Sequence, residues 1–289
     1  MIETILQKLD FPEKPQCITQ YQSAEDGAPY QVWKIAVPGG NYVLKEAKGT
    51  ETELYTQFFS EEHSGAPKLF QIIREEDRDY LLMEHIAGED LRHCHRETLR
   101  LALDALICLQ RKYWQDETRA HVGTSFERSL PGRTQRREYL GDEKLQRVYD
   151  AFLKEYAQIP RTLCHDDLLP FNAICDGKRV VFIDWECGGI LPYAASLARL
   201  IAHAEENPDA FFYMKEEDKA FAAEYYFDHF IKEKQISREA FRRTLGLFVF
   251  YEYCEWVYLG NKYGDTDTKR FRDYRKKAFK LADALIVNL

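Results

Sequence analysis

Between Leu163 and Glu186 the stretch LCHDDLLPFNAICDGKRVVFIDWE sets His165, Asp166, Asp167, Asn172 and Asp184 around two apolar runs. Carboxylates beside strands that must be buried are costly unless a cation meets them. Asp176-Gly177 is a tight-turn signal, so FNAIC and VVFID should fold back on each other. With Asp176 to Arg179 as the turn, Asn172 falls opposite Ile183, next to Asp184. Asp167 lies on the loop entering that same end. Two carboxylates and an amide oxygen meeting there form an oxygen-rich site, which suits Mg²⁺ when phosphate oxygens complete its shell.

The order of these residues is that of phosphoryl transfer. A His, an Asp two residues on, an Asn five after that and a second Asp beyond a hairpin follow the catalytic and metal-binding segments of kinases. In that chemistry the protein positions a hydroxyl and neutralises charge. Asp167 is the expected acceptor of the hydroxyl proton, Asn172 and Asp184 are the expected Mg²⁺ ligands, and His165 braces the loop. Each residue alone is also an ordinary turn or cap residue. The full set, with the hairpin inside it, is what points to chemistry.

Other elements must bring a nucleotide to this point. PYQVWKIAV, the turn PGGN and YVLKEA predict a hairpin, with Lys45 on its second strand as the cation for nucleotide phosphates. ETELYTQFF predicts a helix whose Glu53, or failing that Glu51, pairs with Lys45; sequence does not fix the helical phase. KLFQIIREEDRDYLLMEHI predicts a second hairpin. After Gly88 the spacing turns helical in ETLRLALDALICLQRKYW, RREYLGDEKLQRVYDAFLKEYA, AASLARLIAHAEE, DKAFAAEYYFDHFIKEK and REAFRRTLGLFVFYEYCEWVYLG. The expectation is an α+β fold: a small antiparallel-sheet lobe with one helix over residues 1–86, and a larger, mostly helical lobe over 87–289. The cleft between them is the natural ligand site.

Composition narrows the function. Of 289 residues, 45% are hydrophobic and 14% aromatic, enough for a substantial core. A net charge of −8 disfavours binding nucleic acid through a basic face. The basic run Lys269 to Lys280 has Phe271, Tyr274 and Ala278 at helical spacing, and so predicts the solvated side of an amphipathic helix. No apolar run is long enough to span a membrane, and the seven cysteines show no CxxC pairing. Without a secretion signal at the N-terminus, a cytoplasmic protein is expected. His93-Cys94-His95 has no partner pair at metal-ligand spacing and is expected to open the following helix.

The chain resembles the aminoglycoside phosphotransferase and choline/ethanolamine kinase superfamily, small-molecule relatives of protein kinases. LCHDDLLPFN resembles the choline-kinase form of the catalytic loop, and FIDWE that family's metal segment. The likeness extends in order from Lys45 to Tyr274. It implies a protein-kinase-like bilobal fold, ATP and Mg²⁺ as cofactors, and a small hydroxylated acceptor, choline- or ethanolamine-like first. DYLLMEHIAGEDL resembles the kinase hinge, which implies adenine contacts from the Glu84 carbonyl and the Ile86 N–H, with Met83 behind. The phosphate-covering loop resembles its counterparts less, because CITQYQSAEDGAPYQVW holds one glycine, Gly27, and leaves Ser23 to Gly27 as the covering segment. FYEYCEWVYLG and the helix after it resemble the choline-kinase segment that builds an aromatic cage. That likeness places Tyr253, Trp256 and Tyr274 either in a cage for quaternary ammonium or in the core. Past FIDWE the family places acids where this chain has Ser196 and His203. An antibiotic kinase acting on aminoglycosides, or a catalytically silent binding module, are the alternatives. The oligomeric state is open.

Overall fold

The computed structural model describes residues 2–9, 14–23, 27–60 and 65–287. A short helix α1 (Ile2–Gln7) precedes the strands β1 (Cys17–Gln22), β2 (Pro29–Val37) and β3 (Gly40–Glu46). Helix α2 (Glu51–Phe58) then leads to β4 (Leu69–Glu75) and β5 (Arg78–Glu84). These five strands form one antiparallel sheet in the order β1-β2-β3-β5-β4. Side chains alternate across it as the pleat requires. Trp33, Ile35, Leu44, Tyr80 and Leu82 face one apolar cluster that also takes Ile5 and Leu9 from the α1 region. Leu81 and Met83 belong to the main core on the opposite side, with Val43 packed against it. Lys45 shares the parity of Val43, so the same alternation turns it to that side. The helix α1 had no counterpart in the expected single-helix sheet lobe.

The remainder is mostly helical. Strand β6 (Glu89–Asp90) is followed by α3 (Arg96–Lys112), α4 (Phe126–Arg136) and α5 (Glu143–Gln158). Next come β7 (Arg161–Cys164), β8 (Ala173–Cys175), β9 (Val180–Phe182) and β10 (Gly189–Pro192), then α6 (Ala195–Ala202), α7 (Glu216–His229), α8 (Arg238–Tyr263) and α9 (Lys269–Ile286). Two small sheets, β10-β7 and β6-β8-β9, lie among these helices. His95 is the N-cap of α3, where its side chain and Thr98 form a reciprocal capping box. No cluster of three or more His, Cys, Asp or Glu able to hold a metal occurs among the described residues.

Two segments differ from expectation. The helix predicted from Arg136 to Ala157 is broken at Gly141, which takes φ +67°. Asp142 restarts it as α5 by accepting from the Lys144 and Leu145 N–H groups. Helix α4 was not among the expected helices; it holds Pro131 and Gly132, both poor helix formers. It begins at the cap Ser125 and carries Pro131 inside, and tertiary contacts hold it in place. Ser129 bonds Tyr156 at 2.7 Å, and the Tyr149 hydroxyl donates to the Arg133 carbonyl at 2.9 Å. Among the described residues no helix is long and apolar enough to cross a membrane.

Candidate active site

The β8–β9 hairpin sets the register of the site. Asp176 accepts from the Lys178 and Arg179 N–H groups at 2.9 Å each, and Gly177 takes φ +88° in the turn. Ala173 pairs with Phe182, and the Ile183 N–H donates to the Asn172 carbonyl at 2.9 Å. Asn172 therefore stands beside Asp184 at the open end, as the spacing predicted. The Asn172 side-chain amide donates to the Asp167 carbonyl at 2.8 Å, which turns its oxygen away from Asp167. Lys45, Asp167, Asn172 and Asp184 all line one cavity of about 530 Å³.

The loop before the hairpin is tied down at each residue. The His165 N–H donates to Ser196 Oγ at 2.9 Å, so this hydroxyl fixes the start of the loop. Burial lowers the His165 ring to about 4, so it is neutral. Its Nε2 donates to the Ile183 carbonyl at 2.7 Å and ties loop to hairpin. Asp166 sits in the left-handed region at φ +58°, and Arg133 Nη2 donates to both its oxygens at 2.7 Å. Burial raises Asp167 to about 6, against the opposing pull of Arg199. That value leaves the carboxylate ionised at neutral pH and close to the optimum for a general base.

Lys45 Nζ lies 2.5 Å from Asp184 Oδ1 and 2.6 Å from Glu51 Oε1. Burial, which favours neutral lysine, is outweighed by these two carboxylates, and Lys45 is raised. Lys45 in turn overcomes burial at Asp184 and holds it below its usual range. The helical partner is thus Glu51, not the expected Glu53. α2 starts at Glu51, which is fully buried, and a residue two positions on is turned about 200° around the helix. Glu53 faces elsewhere and accepts from the Gly123 N–H at 3.2 Å.

Met83, Glu84 and Ile86, the residues expected to meet adenine, line the same cavity. Met83 is buried, and the Glu84 carboxylate is drawn off to Arg179 at 2.5 Å. Of the Ser23–Gly27 loop, residues 24–26 lie outside the described residues. At its ends the Gly27 N–H donates to the Ser23 carbonyl at 2.9 Å, with Gly27 at φ +71°.

A second cavity of about 430 Å³ shares Phe171 with the first and is walled by Arg199, His203, Trp256 and Tyr274. Tyr253 is not among its lining residues; it packs against the core and lies 5.9 Å from Tyr274, ring to ring. The sequence reading missed Arg199 and its carboxylates. Arg199 donates to Asp167 at 3.1 Å (Nε) and 2.7 Å (Nη2), and through Nη1 to Glu252 at 2.7 Å and Glu255 at 2.5 Å. His203 lies 3.1 Å from Glu252 and 2.8 Å from the Tyr274 hydroxyl. The available signal was the acid pair Glu252 and Glu255, three apart and interleaved with the aromatics.

The chain is similar to known proteins. Residues 24–229 match the APH family, described as the phosphotransferase enzyme family. The chain belongs to that family. The protein LicA of Haemophilus influenzae strain Rd is 26% identical to this chain over 147 residues, 50% of this chain and 52% of LicA. The chain spans about half the length of the curated relatives it matches. Choline kinase LicA from Streptococcus pneumoniae superposes with a TM-score of 0.63 at 13% identity, covering 98% of this chain and 99% of that one. A thermostable mutant of aminoglycoside phosphotransferase APH(4)-Ia, in a ternary complex with AMP-PNP and hygromycin B, gives 0.62 at 13% identity, covering 97% of each chain. The α+β, kinase-like fold is common to this chain and both solved structures.

Proposed function

We propose that the protein is an ATP- and Mg²⁺-dependent small-molecule kinase that transfers the γ-phosphoryl group of ATP to an alcohol. The carrying observation is the convergence of Lys45, Asp167, Asn172 and Asp184 on one cavity at the end of a single hairpin. Residue chemistry fits Mg²⁺. Asp184 is held ionised by Lys45, and the Asn172 amide oxygen is free of Asp167. Two such oxygen ligands, with phosphate and water completing the shell, are what Mg²⁺ accepts. When bound, the ion neutralises charge on the nucleotide phosphates.

The chain's own residues do the remaining work. Lys45, anchored by Glu51, presents a buried ammonium to the phosphates. Met83, Glu84 and Ile86 hold adenine against the sheet edge. Asp167 accepts the proton of the acceptor hydroxyl through Oδ2, which takes only a long 3.4 Å contact from the Asn172 amide, while Arg199 fixes Oδ1. His165, Ser196 and the Arg133–Asp166 pair keep the loop in register, so no reorganisation accompanies the transfer.

The relatives named for choline kinase, and the resemblance at residues 251–274, support a choline- or ethanolamine-like acceptor. The ring faces in this chain speak against a quaternary ammonium. Arg270 covers Trp256 at 4.5 Å, and Lys277 lies over Tyr274 at 4.8 Å and Tyr253 at 5.9 Å. The test has two stages. ATP with Mg²⁺ should raise the melting temperature, and no rise with either would favour a silent binding module. An ADP-release screen over choline, ethanolamine, amino sugars, aminoglycosides and hydroxy acids then finds the acceptor. Asp167→Asn should keep nucleotide binding and lose turnover; turnover retained would remove Asp167 as the base.

A further inference from the structure

We propose that the acceptor alcohol carries an anionic group, a carboxylate or a phosphate, bound by Arg270 at the far end of the second cavity. The assignment rests on the phosphotransferase reading above and names the acceptor class for that site.

Contacts run along the cavity wall from the base outward. Arg199 meets Asp167 at 2.7 Å and His203 at 3.3 Å, and His203 meets the Tyr274 hydroxyl at 2.8 Å. Tyr274 lies 5.8 Å from Trp256, and Trp256 carries the Arg270 guanidinium at 4.5 Å. An acceptor with its hydroxyl at Asp167 and its tail along this wall ends at Arg270.

Charge along the wall decides what that tail is. Arg199 is committed to Asp167, Glu252 and Glu255, so those acids offer little to an incoming cation. Glu205, the carboxylate lining this cavity, is engaged by Lys277 at 2.7 Å. Arg270 lines the cavity and has no carboxylate at ion-pair distance among the described residues. The indole face of Trp256 orients its planar fork, and such a fork matches a carboxylate or phosphate. An ammonium group would displace Arg270 or Lys277 from a ring and meet like charge.

The experiment measures binding by calorimetry in the presence of AMP-PNP and Mg²⁺, then turnover with ATP. The alcohols are glycerate, 4-hydroxybutyrate and glycerol 3-phosphate against choline, ethanolamine and glycerol. At least one anion-bearing alcohol should bind and turn over better than all three others; glycerate against glycerol 3-phosphate separates carboxylate from phosphate. Arg270→Glu should weaken that acceptor roughly ten- to hundredfold in KM with kcat and the ATP KM little changed, and Arg270→Lys should recover part of it. Binding of none of the anionic alcohols, a preference for choline or ethanolamine, or an Arg270→Glu variant with unaltered KM overturns the proposal. If AMP-PNP and Mg²⁺ themselves do not bind, the kinase reading falls as well; if they bind while the anion preference is absent, only the acceptor assignment falls.

Discussion

Arg199 should set the pH at which the enzyme switches on. Burial has brought Asp167 to about 6, and the cation that restrains it from going higher is Arg199, which places two N–H groups on one carboxylate oxygen at 3.1 and 2.7 Å. Loss of a cation in contact with a carboxylate raises its pKa by about 1–3 units. A base works deprotonated, so the rate falls as pH drops through its pKa. In Arg199→Gln the acidic limb of kcat/KM, expected near 6 in the parent from the burial of Asp167, should move up by about 1–3 units. The single change also leaves Glu252 with only His203 and Glu255 with only Arg136, and removing one partner of a buried ion pair costs up to about 3–5 kcal/mol. The double variant Arg199→Gln/Glu252→Gln removes one charge of each sign and is the form to assay if the single variant unfolds. ADP release followed from pH 5 to 10, roughly spanning both limbs, reads the shift. A folded variant whose acidic limb stays near the parent position would refute the role given to Arg199.

Glu51→Gln should raise the KM for ATP by about tenfold or more through loss of the charged anchor on Lys45, whereas Glu53→Gln should leave it nearly unchanged; equal effects would undo the ion-pair assignment. Glu252, held near 2 by Arg199 and then His203 in spite of burial, has a folded pKa below its ordinary value. It therefore stabilises the fold above the unfolded pKa, and this is lost as pH falls from about 4.5 towards 2, an effect of about 3 kcal/mol. Urea titrations across that window should show a flatter decline for Glu252→Gln. Gly88→Ala would put a Cβ 2.1 Å from the Cys175 carbonyl oxygen, forcing β6 off β8 at a cost of roughly 1–3 kcal/mol; an unchanged melting temperature would contradict that contact.

The parts of the site legible in the sequence are those set by short-range rules. Asp176-Gly177 fixes a turn, the turn fixes the pairing of Asn172 with Ile183, and the period of two puts Lys45 on the cleft side of β3. What escaped depends on distant packing. The choice of Glu51 over Glu53 turns on where α2 begins, and four residues of loop leave that open. α4 is weakly apolar and contains Pro131, so nothing local marks it as a helix. Its Arg133 becomes meaningful only when Asp166, 33 positions later, accepts from Nη2 with both oxygens. Arg199 likewise looks like one polar residue on an apolar helix until α8 brings Glu252 and Glu255 against it. For the aromatics, helical spacing could not say that α9 would lay its own cations over the rings.

On the proposed reading, the phosphoryl machinery and the outer part of the acceptor wall come from different stretches of chain. Lys45 through Asp184, with Arg199 and His203, lie inside residues 24–229, the span shared with the family, whereas Trp256, Arg270 and Tyr274 belong to α8 and α9 beyond it. The terminal helix pair would then act as an exchangeable faceplate bolted to a fixed engine. Swapping side chains on that faceplate should retune which alcohol is admitted while the nucleotide half goes on working unaltered.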